Sequence, residues 1–161
     1  MTTLEHLIEA LSLAKKAKRK DIKGNPFVGA IVVDENNSII GTGYHKIWGE
    51  KHAEVYAIEE ALAHTPDLTK CSLYVTLEPC SHHGRTGPCC DALIQAGIAK
   101  VVASIADPNP QVAGNGFARL RAAGVQVEVG DGAEAARELN IGFFSRMVRK
   151  TPWVRMKDHP T

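Results

Sequence analysis

The sequence has 161 residues, 44% of them hydrophobic and 23% charged, enough apolar material for one globular domain with its own core. Its 19 basic residues nearly balance its 18 acidic ones, for a formal net charge of +1. Nothing in that balance calls for nucleic acid or a membrane surface. No apolar run approaches the roughly 18 residues of a membrane span. The opening stretch "MTTLEHLIEALSLAKKAKRK" is interrupted by Glu5, His6 and Glu9, unlike a secretory signal. A cytoplasmic protein with reduced cysteines is expected, and clustered cysteines there bind metal or serve catalysis more often than they staple.

Leu4, Leu7, Ile8, Leu11 and Ala14 recur at helical spacing, which predicts an amphipathic helix over roughly 3–19. The basic residues Lys15, Lys16, Lys18, Arg19 and Lys20 fall at its end, where cations suit the helix dipole. "GAIVVD" and "SIIGTGY" flank the polar "ENN", the pattern of an antiparallel hairpin. In "HAEVYAIEEALAH", Val55, Ile58, Ala61 and Leu62 again repeat at helical spacing. "SLYVTL" reads as a buried strand, and Cys89 to Ala96 as a short helix introduced by Pro88. "KVVASIAD" is a strand, "GFARLRAAG" a helix stopped by Gly124, and "VQVEVG" a strand. "AEAARELNIGFFSRMV" is mainly helical, with Gly142 as a point of interruption. Strands alternating with helices after an opening hairpin predict a mixed sheet with helices on both faces. His6 and His64 have no reactive companions and read as surface groups. Cys71 reads as a partly buried apolar residue.

Two segments concentrate reactive side chains: His52-Ala53-Glu54, at a predicted helix start, and "EPCSHHGRTGPCC" over 78–90, between a strand and a helix. One imidazole and two thiolates make three good zinc ligands and leave a fourth position for water, a catalytic arrangement. A structural site would close the fourth position, here with His82 or His83. Helix starts favour anions, which helps keep a thiolate charged. On a regular helix His52 and Glu54 would diverge. At a helix start the geometry is looser, so one can ligate while the other moves a proton between water, a ring nitrogen and a leaving amine. Cys90 is an alternative to Cys89 as the second thiolate.

H-x-E with P-C-x-x-C is the signature of zinc nucleobase deaminases. His52-Ala53-Glu54 and Pro79-Cys80 fit it, but eight residues, "SHHGRTGP", separate Cys80 from Cys89. That wide spacing resembles the deaminase domain of the bacterial riboflavin-biosynthesis enzymes, the diaminohydroxyphosphoribosylaminopyrimidine deaminases of the cytidine-deaminase-like superfamily. The resemblance covers nearly the whole chain: "GNPFVGAIVVD", "GYHKIWGEKHAE", "YVTLEPCSHHGRTGPC", "ADPNPQVAGNGFARLRAAGVQV" and "LNIGFFSRM" occur in the family's order. Gly24 and Gly87 stand where the family often has proline, and Cys90 where a cysteine is unusual.

The resemblance implies a three-layer α/β/α sandwich around a mixed sheet of about five strands. It implies zinc held by His52, Cys80 and Cys89, with Glu54 as the catalytic proton carrier. The pyrimidine pocket would map onto Asn25, His45, His82, Asp107 and Asn109. Arg85 would lie near the substrate phosphate, which a guanidinium grips through paired charge-assisted hydrogen bonds. The expected reaction is hydrolytic deamination of 2,5-diamino-6-ribosylamino-4(3H)-pyrimidinone 5′-phosphate. The deaminase domain would span 1–150, with 151–161 a tail where a reductase domain follows in bifunctional relatives. A homo-oligomer, dimer or tetramer, and a separate reductase partner are further expectations. The competing readings are a zinc deaminase for guanine, cytosine, a free nucleoside or tRNA adenosine, and a non-catalytic zinc-stabilised module.

Overall fold

In the computed structural model, which describes residues 2–23, 25–47, 50–81, 89–110 and 112–142, the predicted hairpin is the first strand pair. β1 (Gly29–Val33) and β2 (Ile39–Tyr44) run antiparallel. In the turn between them Asp34 Oδ1 accepts the N–H groups of Asn36 and Ser38, both at 2.9 Å, and Asn37 takes a left-handed φ of 66°. Asp and Asn are the residues that support such a turn. β3 (Ser72–Val75) pairs antiparallel with the other edge of β1. β4 (Lys100–Ala103) and β5 (Gln126–Val129) extend the sheet in parallel. The order β2-β1-β3-β4-β5 is the mixed five-stranded sheet expected from the sequence.

Six helices accompany it among the described residues: α1 (Thr3–Ala14), α2 (Arg19–Ile22), α3 (Ala53–His64), α4 (Cys89–Ala96), α5 (Asn115–Ala122) and α6 (Ala133–Leu139). Strand side chains alternate between two faces. Ala30, Val32, Leu73, Val75, Val101 and Ala103 pack with α3, α4 and α5. Ile31, Val33, Tyr74 and Val102 pack with Leu7 and Leu13 of α1. The result is the three-layer α/β/α sandwich. No helix among the described residues is long and apolar enough to cross a membrane.

Several readings need correction. The first predicted helix ends at Ala14, and a separate short helix, α2, follows. α1 is also rotated from the expected phase: it buries His6, Leu7, Ala10, Leu11, Leu13 and Ala14, leaving Leu4 and Ile8 about half exposed. His6 is therefore a core residue and not a surface one. Its Nε2 lies 2.7 Å from Asn37 Oδ1 and its ring lies on Tyr74 with centroids 4.6 Å apart. That partner satisfies Nε2, while the buried Nδ1 has no hydrogen-bond partner among the described residues. In α3 the buried stripe is Ala53, Glu54, Ala57, Ile58 and Ala61, and Leu62 is exposed. A carboxylate thus lies on the core-facing side. α6 closes at Leu139, ahead of Gly142.

Candidate active site

The first turn of α3 sits against β2. A Cβ added at Gly43 would collide with the Ala53 carbonyl and come within 2.7 Å of Tyr56 Cβ, so only glycine admits this approach. His52 is the N-cap of α3, with extended φ/ψ of −78° and 166°, and Glu54 is the second helical residue. Because His52 lies outside the helical repeat, the two side chains are not forced onto diverging faces.

Cys80 follows β3 and Cys89 opens α4. Their sulfurs and a ring nitrogen of His52 lie within 4.8 Å of one another. His52 Nδ1 is 3.0 Å from Cys89 Sγ and 3.9 Å from Cys80 Sγ, and the Cys89 N–H donates to Cys80 Sγ at 3.2 Å. Hydrogen bonds from the Cys89 thiol, from His52 and from the Cys89 backbone hold Cys80 down to about 4, so it is a thiolate. The thiolate beside it, together with burial, pushes Cys89 up, so it keeps its proton until a metal displaces it. One thiolate, one displaceable thiol and one imidazole at this separation fit zinc. The Cys90 thiol turns away and donates to the Pro79 and Gly116 carbonyls at 3.4 and 3.5 Å. Burial pushes it up to about 12. The geometry therefore groups Cys89, and not Cys90, with His52 and Cys80.

Glu54 is 4% exposed. Burial pushes its carboxyl up to about 7, partly opposed by the His52 charge. A carboxyl there exchanges a proton readily at neutral pH. His45, after β2, stacks edge-on against His52 with ring centroids 5.3 Å apart. Burial, followed by the His52 charge, lowers its pKa, so it is a neutral imidazole. Asn25 Nδ2 is 3.4 Å from His45 Nε2. Asp107 and Asn109 lie in the loop after β4, where Asp107 Oδ1 accepts the Asn109 N–H at 2.9 Å. Open α/β sheets bind ligands at such strand ends. His82, His83, Arg85, Gly87, Gly24 and the 151–161 tail lie outside the described residues.

Two residues near the site escaped the reading of the sequence. The buried carboxylate of Glu78 accepts backbone N–H groups from Asp107, Gly114, Gly116 and Phe117. The signal was present: an acidic residue closing the apolar run "SLYVTL" must find partners if buried. Asn140, after α6, accepts the Phe27 N–H at 2.7 Å and donates to the Phe27 carbonyl at 2.9 Å, which fixes the segment carrying Asn25. No local signal marks a pairing across 113 positions.

The chain belongs to the cytidine and deoxycytidylate deaminase family. Residues 1–105 match the family's zinc-binding region. Within it, the chain is 49% identical over 152 residues to riboflavin biosynthesis protein RibD of Escherichia coli (strain K12), which covers 94% of the chain and 40% of that protein. It is 46% identical over 123 residues to a diaminohydroxyphosphoribosylamino-pyrimidine deaminase of Buchnera aphidicola subsp. Schizaphis graminum (strain Sg), covering 76% of the chain and 81% of the relative. A solved Thermotoga maritima diaminohydroxyphosphoribosylaminopyrimidine deaminase/5-amino-6-(5-phosphoribosylamino)uracil reductase superposes with a TM-score of 0.86 at 41% identity, over 94% of the chain and 42% of that structure. The chain thus spans about two fifths of the length of its RibD relatives. The resemblance read from the sequence is borne out, as are the fold class and the zinc-binding character of the family.

Proposed function

We propose that the chain catalyses hydrolytic deamination of 2,5-diamino-6-ribosylamino-4(3H)-pyrimidinone 5′-phosphate. The observation that carries the reaction type is Glu54, a buried carboxyl titrating near neutrality on the helix that His52 caps. The substrate comes from the names of the relatives and from the wide Cys80–Cys89 spacing that this chain shows. His52, Cys80 and Cys89 would hold the zinc. Bound there, zinc acts as a Lewis acid that makes water nucleophilic at neutral pH.

Glu54 removes a proton from the attacking water as oxygen adds to the ring carbon bearing the exocyclic amine. It delivers that proton to the adjacent ring nitrogen, takes up the second proton of the water, and passes it to the amine. The carbon–nitrogen bond then breaks and ammonia leaves. Neutral His45, with Asn25, Asp107 and Asn109, orients the pyrimidine, and His82 and Arg85 serve the ring and phosphate. The deaminase unit spans 1–150, works as a homo-oligomer, and passes its product to a reductase domain or partner.

Ammonia release from the pyrimidine phosphate, with and without a zinc chelator, is the direct test. Glu54→Gln should keep one zinc per chain and lose about 10²–10⁴-fold in kcat. Full activity in that variant would overturn the assignment of Glu54. Preference for guanine, cytosine, a nucleoside or RNA in a substrate panel would replace the substrate.

A further inference from the structure

Two carboxylates are buried among the described residues, Glu54 and Glu78, and the proposed reaction uses only Glu54. No cation pairs with Glu78 among the described residues. Its partners are backbone amides from separate segments. Oε1 accepts the N–H of Asp107 at 2.8 Å and of Gly114 at 3.0 Å. Oε2 accepts the N–H of Gly116 at 2.9 Å and of Phe117 at 3.3 Å. The Glu78 N–H donates to the Ile105 carbonyl at 2.9 Å.

A second layer locks this arrangement. A Cβ at Gly116 would collide with the Pro79 carbonyl and sit 3.1 Å from Glu78 Oε2, so the close approach requires glycine there. The Cys90 N–H donates to the Cys80 carbonyl at 3.1 Å, and its thiol reaches the Pro79 and Gly116 carbonyls. The 78–80 segment, the loop after β4 and the start of α5 are therefore one hydrogen-bonded unit. Mere capping of α5 would not need it. The N-cap of α5 is Gly114, which has no side chain to serve the free amides, and a Ser or Asp there would do so locally. Here the acceptor comes instead from the segment after β3 that leads into Cys80.

We propose that Glu78 is a positioning residue: it fixes the loop bearing Asp107 and Asn109 relative to the His52, Cys80 and Cys89 centre, and so sets how tightly the substrate ring is held. The proposal rests on the deaminase reading given above. It acts through substrate affinity, because the hydrogen bonds of the Glu78 carboxylate go to backbone amides and, among the described residues, to neither the three ligand atoms nor Glu54.

Glu78→Gln tests it. The shape is kept, but one oxygen becomes an NH2 group facing two N–H donors, so either the Asp107/Gly114 pair or the Gly116/Phe117 pair loses its acceptor. Zinc content should stay at that of the parent protein. KM for the pyrimidine phosphate should rise about tenfold or more, the effect of losing one charge-assisted hydrogen bond, while kcat changes much less. Hydrogen exchange should quicken at the amides of whichever pair, Asp107/Gly114 or Gly116/Phe117, loses its acceptor. Glu78→Asp keeps the charge on a shorter arm and should recover part of the affinity; it is also the variant to use if Gln prevents folding. Unchanged KM with faster exchange would overturn the proposal, leaving Glu78 a purely structural tie. Loss of zinc together with kcat would also overturn it, by making Glu78 a support of the metal segment. Parent protein inert toward this substrate would remove the deaminase reading instead, and the exchange measurement separates the two failures.

Discussion

Glu54 is held where its charge is costly. Its carboxyl ionises at about 7 when folded, against an ordinary 4.5. A raised folded value means the native state binds the proton more tightly, so this stabilisation is complete below about 4.5 and is lost as pH rises through 7. In the metal-free protein, Glu54→Gln should therefore be more stable than the parent at pH 8, by up to about 3 kcal/mol. The gap should close toward pH 4.5. Denaturant unfolding in the presence of chelator, repeated across that range, measures it; a gap that widened on acidification would contradict the burial of Glu54. Residue chemistry of this kind was legible beforehand, because His52 and Glu54 declare themselves by type and close spacing and Cys80 by its Pro79-Cys80 motif. The choice of Cys89 over Cys90 was implied by the family resemblance alone, since residue type leaves both open. Both are cysteines, and neighbours on a helix point about 100° apart, so only the seating of α4 turns one sulfur toward His52 and the other toward the Pro79 carbonyl.

At the scale of elements, α3 carries the site and its docking on β2 decides where His52 and Glu54 stand. Gly43→Ala inserts a methyl where the Ala53 carbonyl already lies. It should cost about 1–3 kcal/mol in stability, and it should lower kcat/KM more than a distant substitution of equal stability cost, because the displaced turn holds His52 and Glu54. Thermal unfolding and kinetics on the same preparation check both halves. Element type and order were readable from hydrophobic period, while helix phase was not. In α1 the apolar residues at 4, 7, 8, 11 and 14 allow more than one face to turn inward. The hydrogen bond from His6 to Asn37, across 31 positions, accompanies the face actually buried. In α3 the exposed Leu62 and buried Glu54 reverse what polarity alone suggests, because the site takes the carboxylate and the helix must follow.

Over the whole molecule, the three candidate ligands come from the cap of α3, the segment after β3 and the start of α4. Such a site exists only in the folded chain, so zinc binding is coupled to folding. With free zinc at about 100 times its Kd the gain is about 2.7 kcal/mol, which for a chain of this size corresponds to roughly 5–10 °C in Tm. Chelation should remove that increment and added zinc restore it. The increment should survive in Glu54→Gln and vanish in Cys80→Ser; an unchanged melting point on chelation would show that no metal is held by the fold.

By itself the sequence determined the mixed sheet, the order of its helices, the zinc chemistry and the family, because period, residue type and local spacing carry those properties along the chain. Only the tertiary structure showed that the Cys90 thiol turns to the Pro79 and Gly116 carbonyls, that His6 and Glu78 are core residues, and that Asn140 secures the Asn25 segment. Each of those depends on a partner brought close in space from far along the chain, and one-dimensional order holds no record of that distance.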